Sequence, residues 1–298
     1  MLRIGVDIGG TNIKLAVIAM KDGPEILIRD IFQFEHAPCS LLCSRIFEHS
    51  LKMLKDCGHD ISEVELIGLS VPGSLDQSEE ILLHAYNMGY HNVPLKAELS
   101  KLFGSIPVSM INDANAAALA EYHAGALMGC DTSMLLTLGT GLGFGLILNG
   151  KIFNGGQNRG AEAGHLPFRN GDRQCTCGLT GCLECYTSAN WIIEQAQRKI
   201  GPEIVNARML IELAKIGDSA ANEILDEYIE NLSTIIAGLC NAFDPQRIAI
   251  GGGISASGDI LFSRLEELVE KKNFFRAHYD IVPAEFLNDA GVIGAVLR

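Results

Sequence analysis

A chain of 298 residues has length for about two domains of roughly 150 residues each. Hydrophobic residues at 48%, charged residues at 20% and only nine prolines exclude a disordered or fibrous protein and a small disulfide-stapled scaffold. Thirty-six acidic against 23 basic residues give a net charge of −13, the wrong sign for tracking a phosphate backbone, so nucleic acid is not an expected partner.

Two β-like runs open the chain, Leu2 to Asp7 and Ile13 to Ala19, joined by Ile8-Gly9-Gly10-Thr11-Asn12, whose glycines suit a tight turn. Met1 to Val6 is too short an apolar run for a signal-peptide core. Helical periodicity follows from Ser40 to Cys57, then the strand-like Leu66 to Val71, a helix over Leu95 to Phe103 and a strand over Val108 to Ile111. The alternation indicates an α/β sheet. The alanine-rich Ala114 to Ala126 predicts a helix. A second hairpin-led unit then begins near residue 130, with strands Ser133 to Leu138 and Gly143 to Leu148 and the turn Asn149-Gly150. That stretch, the longest apolar one, is broken by glycines and falls short of the roughly 20 residues of a bilayer span, so the expectation is a soluble cytoplasmic protein with no membrane partner. Residues 155 to 185 are rich in Gly and Cys with little periodicity and predict a long loop. Ala189 to Ala242 is helical in pattern, Asp244-Pro245 stops it, and the strand Arg247 to Ile250 runs into Gly251-Gly252-Gly253. A short helix from Ala290 to Leu297 closes the chain. The two hairpin-led units amount to a weak internal repeat.

Asp7-Ile8-Gly9-Gly10-Thr11-Asn12-Ile13-Lys14 places an acid at a strand end, two glycines in the turn and a hydroxyl just after. Glycines let backbone N–H groups approach a phosphate closely, although a plain hairpin turn has the same residues. Gly139-Thr140-Gly141-Leu142-Gly143 repeats that chemistry between two strands, so the pair could hold opposite sides of one polyphosphate. The alternating glycines lack the G-x-G-x-x-G spacing of a dinucleotide site, and in Gly145 to Lys151 the residue after the lysine is Ile152 where a P-loop needs Ser or Thr. Asp113, where a strand hands over to a helix, has two readings: an N-cap, or a reactive carboxylate at the strand end where ligands of open α/β sheets bind.

Of nine cysteines, Cys39, Cys43, Cys57, Cys130 and Cys240 are scattered and read as free thiols in a reducing compartment. Cys175, Cys177, Cys182 and Cys185 cluster near His165, which argues for a metal site over a disulfide framework. Thiolates with an imidazole suit tetrahedral zinc, and four protein ligands would make the site structural. His165, Cys175, Cys177 and Cys182 are the first choice, with Cys185, at what reads as a helix start, competing as a ligand.

The ordered set Asp7-x-Gly-Gly-Thr, Asn112-Asp113-x-Asn115, Gly139-Thr140-Gly141-x-Gly143, Glu162-x-Gly164-His165, Cys175-x-Cys177-Gly178-x-x-Gly181-Cys182-x-Glu184 and Gly251-Gly252-Gly253 resembles the ROK family of sugar kinases, sugar-sensing repressors and uncharacterised reading frames. The likeness spans nearly the whole chain and is most specific from His165 to Glu184. It implies the actin-like ATPase (ribonuclease H-like) α/β fold of the hexokinase superfamily, with two lobes around a cleft. The N-terminal lobe would be 1–113, completed by 286–298. The C-terminal lobe would be 114–285, with a zinc-stapled loop held by His165, Cys175, Cys177 and Cys182. The resemblance further implies ATP, with Mg2+, bound by Asp7, Gly9, Gly10, Thr11, Asn12 and Lys14 on one side and Gly139, Thr140, Gly141 and Gly143 on the other, adenosine lying near Gly252 and Gly253. Carried over position by position, Gly73, Asn87, Asn112, Asp113, Glu162, His165 and Glu184 would line a sugar site. Ala161 stands where the family usually has glycine, and the segment Ala85 to Tyr90 departs from the usual glucokinase pattern.

The activity so implied is ATP-dependent phosphorylation of a hexose at its 6-hydroxyl. Asp113 would be the general base, because a sugar hydroxyl is a poor nucleophile until a carboxylate accepts its proton. Glucose is the default substrate, with N-acylmannosamine, allose and other hexoses as alternatives. A sugar-sensing regulator is the rival class. Only six residues precede Asp7, which leaves no room for the DNA-binding domain of family repressors, and a non-catalytic sugar module would not explain both glycine loops together with Asp113. A homodimer is the assembly the resemblance suggests.

Overall fold

The computed structural model describes residues 1–34, 37–85, 88–158, 160–171 and 173–298. The chain divides into two compact units: Met1–Met128 with Ile152–Ala161 and Asn288–Arg298, and Gly129–Lys151 with Glu162–Leu287.

In the first unit, β1 (Leu2–Ile8), β2 (Asn12–Met20) and β3 (Pro24–Gln33) form an antiparallel meander. Helix α1 (Cys39–Asp56) then carries the chain to β4 (Val64–Val71), parallel to β1. A small antiparallel sheet follows, made of β5 (Ser74–Leu75), β6 (Leu82–Ala85) and β7 (Tyr90–Val93). After α2 (Leu95–Phe103), β8 (Val108–Asn112) pairs in parallel with β4 and runs into α3 (Asp113–Ala124). The main sheet has the order β3-β2-β1-β4-β8. Its core is built by alternate residues of the strands and one stripe of α1, among them Ile4, Val6, Leu15, Val17, Leu42, Ile46 and Leu69, all fully or almost fully buried. The edge strand β3 has half-exposed and exposed residues in alternation over most of its length, which is why hydrophobic runs alone do not announce it.

The C-terminal helix, Ala290–Ala295, belongs to this unit and needs small neighbours. A Cβ on Gly294 would stand 1.6 Å from Ala116 O, and one on Gly5 would stand 2.0 Å from Val292 O, so backbone packs on backbone at both places. The alanines of α3 are buried for the same reason. This contact keeps α3 in the first unit, and the division of the chain falls after Met128, not after Asp113 as expected.

The second unit repeats the plan. β9 (Ser133–Leu138) and β10 (Leu142–Leu148) form a hairpin with β11 (Lys151–Ile152) beside β10. After the short α4 (Glu184–Thr187), the expected helical stretch is three helices, α5 (Ala189–Lys199), α6 (Ala207–Lys215) and α7 (Ser219–Phe243). Asp244, in the left-handed region at φ 45°, ends α7 ahead of Pro245. β12 (Arg247–Gly251), α8 (Asp259–Lys272) and β13 (Asp280–Pro283) complete a sheet of order β11-β10-β9-β12-β13. Each sheet therefore has a hairpin followed by two parallel additions, so the weak sequence repeat is a repeat of topology. Among the described residues no helix is long and apolar enough to cross a membrane.

Candidate active site and metal centre

In the first unit, strand register places two partners on Asp7. It lies opposite Lys14 on β2 and Ser70 on β4. The Ser70 hydroxyl donates to Asp7 Oδ1 at 2.8 Å, and Lys14 Nζ stands 3.4 Å from Oδ2 while also donating to Asn288 O at 3.2 Å. Sequence reasoning missed Ser70, since nothing but the register joins it to Asp7. The turn behind them is closed by the Gly9 N–H donating to Asn12 O at 3.0 Å. A Cβ on Gly9 would meet that same oxygen at 2.8 Å, so the residue must be glycine. Gly10 is half-buried, and Thr11 and Asn12 are exposed.

At the end of β8 the capping expectation is corrected. Asn112 is the N-cap of α3: its side-chain oxygen accepts from Ala114 N at 3.0 Å and Asn115 N at 3.1 Å, and its amide donates to Gly73 O at 3.0 Å. Asp113 is the first helical residue, its carboxylate accepting the Ala114 N–H at 2.8 Å. Its carboxyl is pushed up to about 6 by desolvation first and by the Asp7 carboxylate second. The side chain is exposed at the end of β8. Gly73 stands where only glycine fits, at φ 84° with His84 O 1.9 Å from the position of a Cβ. Gly73, Asn112 and Asp113, far apart in sequence, are thus joined in one unit. Asn87 lies outside the described residues.

In the second unit, the turn between β9 and β10 is closed by the Gly139 N–H donating to Gly141 O at 3.0 Å. The backbone of Gly252, at φ 82°, packs so tightly on this hairpin that a Cβ would fall 2.3 Å from Leu138 O. The parallel pairing of β12 with β9 ends at Gly251 opposite Thr137, which brings Gly252 and Gly253 to the same end of the sheet as Gly139, Thr140, Gly141 and Gly143. Gly139 and Gly253 have open space where a Cβ would be, so a ligand could approach their backbone.

Glu184, expected as a sugar ligand, is tied to this turn. Its Oε2 accepts the Leu142 N–H at 3.0 Å, and Oε1 accepts the Thr176 hydroxyl at 3.4 Å and faces the Cys175 thiol at 3.7 Å. Glu162 is exposed and leads into a 3-10 turn, Ala163–His165. Gly164 in that turn rests against Leu142 O, 2.4 Å from where its Cβ would be.

His165, Cys175, Cys177 and Cys182 bring one ligand atom each to within 4.8 Å of one another. The Cys175 Sγ to His165 Nδ1 separation is 3.6 Å and Cys177 Sγ to Cys182 Sγ is 3.8 Å. A tetrahedron with Zn–S of about 2.3 Å and Zn–N of about 2.05 Å has edges of about 3.6 Å for S···N and about 3.8 Å for S···S. The four residues therefore fit zinc in donor chemistry and in spacing. Cys185 is not in the group; it lies on α4, the helix that Glu184 opens. Burial and the neighbouring thiols push the Cys182 thiol up to about 12, and a dication would reverse that. The stretch around the ligands has the isolated bridges Pro167 to Cys182 and Gln174 to Thr180 and backbone hydrogen bonds such as Cys175 N–H to Leu179 O at 2.8 Å and Leu183 N–H to Leu166 O at 3.0 Å, which hold the ligand residues together.

The ROK family model matches residues 3–297. The glucokinase of Thermotoga maritima is 35% identical, covering 98% of this chain and 95% of its own length, and the N-acetylmannosamine kinase of Escherichia coli is 29% identical over 100% and 98%. A ROK family glucokinase from Streptomyces griseus, solved in complex with glucose and AMPPNP, superposes with a TM-score of 0.84 at 29% identity over 99% and 98% of the two chains.

Proposed function

The chain belongs to the ROK family, and from that premise we propose that it is an ATP-dependent sugar kinase that phosphorylates a hexose at its 6-hydroxyl, glucose first among the candidates. The architecture is that of the actin-like ATPases. The observation that carries the chemistry is Asp113. Its neighbour Asn112 has taken the cap, the Asp113 carboxylate is open to solvent at a strand end, and its proton affinity is raised. Such a group can accept the proton of a hydroxyl as the phosphoryl group arrives.

The remaining residues divide by unit. In the first, Gly9, Gly10, Thr11 and Asn12 present backbone and side-chain donors to phosphate, and Lys14 supplies a cation next to Asp7. Asp7 is the carboxylate that would hold the magnesium arriving with ATP, directly or through water, and that ion would neutralise phosphate charge. In the second, Gly139, Thr140, Gly141 and Gly143 offer backbone N–H groups to phosphate, and Gly252 and Gly253 lie on the adenosine side. Gly73, Asn87, Asn112, Glu162 and His165 read ring hydroxyls, with Glu184 holding the phosphate turn and the metal loop while reaching the sugar. His165 offers Nδ1 to the thiol group, which leaves Nε2 for the sugar. His165, Cys175, Cys177 and Cys182 would hold a structural zinc, which would fix the loop that carries Glu162, His165 and Glu184.

The similarity to an N-acetylmannosamine kinase keeps N-acylmannosamine as the second substrate reading, because discrimination among hexoses rests on a few side chains around one hydroxyl or its substituent. A coupled ADP-release assay across aldohexoses and N-acetylhexosamines tests the proposal: turnover with glucose supports it, turnover with N-acetylmannosamine alone moves the substrate, and sugar binding with no ADP release for any sugar leaves a regulator. We further propose a homodimer, which light scattering of the purified chain checks.

A further inference from the structure

We propose that Cys39 and Cys43 form a reversible dithiol–disulfide site in the first unit, a modification site that takes a low-molecular-weight disulfide of the glutathione class as its oxidant. The two residues sit one turn apart on α1, where the Sγ atoms are 3.8 Å from each other. Residues i and i+4 of a helix have Cα atoms about 6.2 Å apart from its rise and radius, inside the range of roughly 4.4 to 6.8 Å that a disulfide spans. The Cβ atoms of such a pair lie about 5 to 6 Å apart, wider than the roughly 3.5 to 4.5 Å of a disulfide, so closure requires the first turn of α1, which Cys39 opens, to draw in as the side chains rotate. Cys39 is half-exposed and Cys43 is buried, so one thiol can meet a solute while the other waits behind it.

Chemistry assigns the order. Cys39 is the first residue of an 18-residue helix, where the positive end of the dipole favours a thiolate. The contact with Cys43 holds the Cys39 thiol below its ordinary value, and the same contact together with burial pushes Cys43 well above it. The Cys39 thiolate attacks one sulfur of the oxidant RSSR; a Cys39–SR bond forms and RS⁻ leaves. The Cys43 sulfur then attacks Cys39 Sγ, its proton passing to the released thiolate, and the second RS⁻ leaves and takes from solvent the proton that Cys39 gave up on ionising. Two electrons and two protons so pass from the dithiol, giving the internal disulfide and two RSH.

The site also has a path to the groups proposed to bind sugar. Just ahead of Cys39, Ala37 O accepts the Tyr90 hydroxyl at 2.9 Å. Tyr90 pairs with Ala85 across the β6–β7 hairpin, and the next residue back, His84, has its carbonyl against Gly73, whose own carbonyl takes the Asn112 amide. Pulling the first turn of α1 to close the disulfide strains the Ala37–Tyr90 bond and so the seating of Gly73.

The test uses the full-length, zinc-replete chain titrated with oxidised glutathione, quenched by alkylation and mapped by mass spectrometry. Expected are a linked Cys39–Cys43 peptide two hydrogens lighter and restored by dithiothreitol, accumulation of glutathione on Cys39 in Cys43→Ser, and no uptake at Cys43 in Cys39→Ser. Absence of the linked peptide, or equal uptake by Cys43 in Cys39→Ser, overturns the site. A second arm rests on the kinase reading: oxidation is expected to raise the sugar KM at least about fivefold with the ATP KM unchanged, and the same treatment of Cys39→Ser to change neither. A linked peptide with an unmoved sugar KM overturns the path through Tyr90, and because the peptide map needs no activity, failure of the kinase reading is recognised separately.

Discussion

Replacing Asp113 by asparagine separates chemistry from structure unusually well here. The side chain keeps its size, its oxygen can still accept the Ala114 N–H now bonded at 2.8 Å, and the cap of α3 is supplied by Asn112 in either protein. A cap loss of about 1 kcal/mol is therefore not expected. The electrostatic change has a definite sign. The folded carboxyl is raised toward about 6 from an unfolded value of about 3.9, so the folded state holds its proton more tightly. Stability is greatest below the unfolded value and is lost as pH rises through the folded one; asparagine removes that loss, and the melting temperature at pH 7.5 should be equal or higher. Catalysis should move the other way. A positioned general base contributes 10² to 10⁴ in rate, or roughly 3 to 5 kcal/mol of barrier, and asparagine cannot accept the hydroxyl proton. The expected outcome is kcat lowered at least about a hundredfold, with sugar and ATP affinities retained by calorimetry. Turnover within about tenfold of the parent would refute the assignment and send the search for the base to Glu162.

With the base raised, kcat/KM for the sugar should fall by one log unit per pH unit on the acid side, with an apparent pKa at or just below about 6; an inflection at the ordinary carboxylate value of about 4 would speak against Asp113. Protein purified without added metal should contain about one zinc per chain, as four donors in one tetrahedral group require, and Cys177→Ala should lower both the metal content and the melting temperature. Metal-free protein of full stability and activity would end the zinc reading. Gly73→Ala forces a Cβ to within 1.9 Å of His84 O at φ 84°; we expect the sugar KM to rise while the ATP KM holds, and an unchanged sugar KM would remove Gly73 from the sugar side.

What the sequence made legible was whatever is local. The hairpin around Gly9 and Gly10, the helix over Leu95–Phe103 and the strands Ser133–Leu138 and Arg247–Gly251 carry their periodicity or turn chemistry within a few residues. The metal group was legible because chelating types are crowded into a short loop. Strand β3 was not, because edge exposure blurs its pattern, and neither was the three-stranded sheet of β5, β6 and β7, whose strands have two to four residues each. Ser70 as a partner of Asp7 depends on parallel register across 63 residues of sequence, which no local pattern encodes. Whether Asp113 caps α3 or stands free as a carboxylate was open in the sequence because aspartate commonly caps helices, and Asn112 takes the cap while its amide holds the carbonyl of Gly73 at 3.0 Å, a tertiary contact that no local pattern encodes.

Glu184 is where the Cys175–Cys182 loop and the Gly139–Gly143 turn are made to depend on each other. One carboxylate accepts the Leu142 N–H and the Thr176 hydroxyl and faces the Cys175 thiol, so a residue expected to read a sugar also holds two backbone segments in register. Gly141 is the gate to that arrangement, since a Cβ there would stand 2.1 Å from Glu184 Oε2. Gly141→Ala must drive the carboxylate away and break the Leu142 bond. A hydrogen bond to a charged group contributes about 1.5 to 3 kcal/mol, which corresponds to roughly tenfold or more in affinity for whatever the turn binds. We therefore expect Gly141→Ala to weaken binding of ATP-Mg, measured without sugar, by at least about tenfold. Glu184→Gln keeps the side-chain length and an acceptor but removes the charge, and it should weaken nucleotide binding less while also lowering the temperature at which zinc is released. A tether predicts both effects from one carboxylate, whereas a side chain that only reads sugar predicts a change in sugar KM alone. If Gly141→Ala binds nucleotide within about twofold of the parent, Glu184 is not a tether and the turn at Gly139 to Gly143 does not depend on the metal loop.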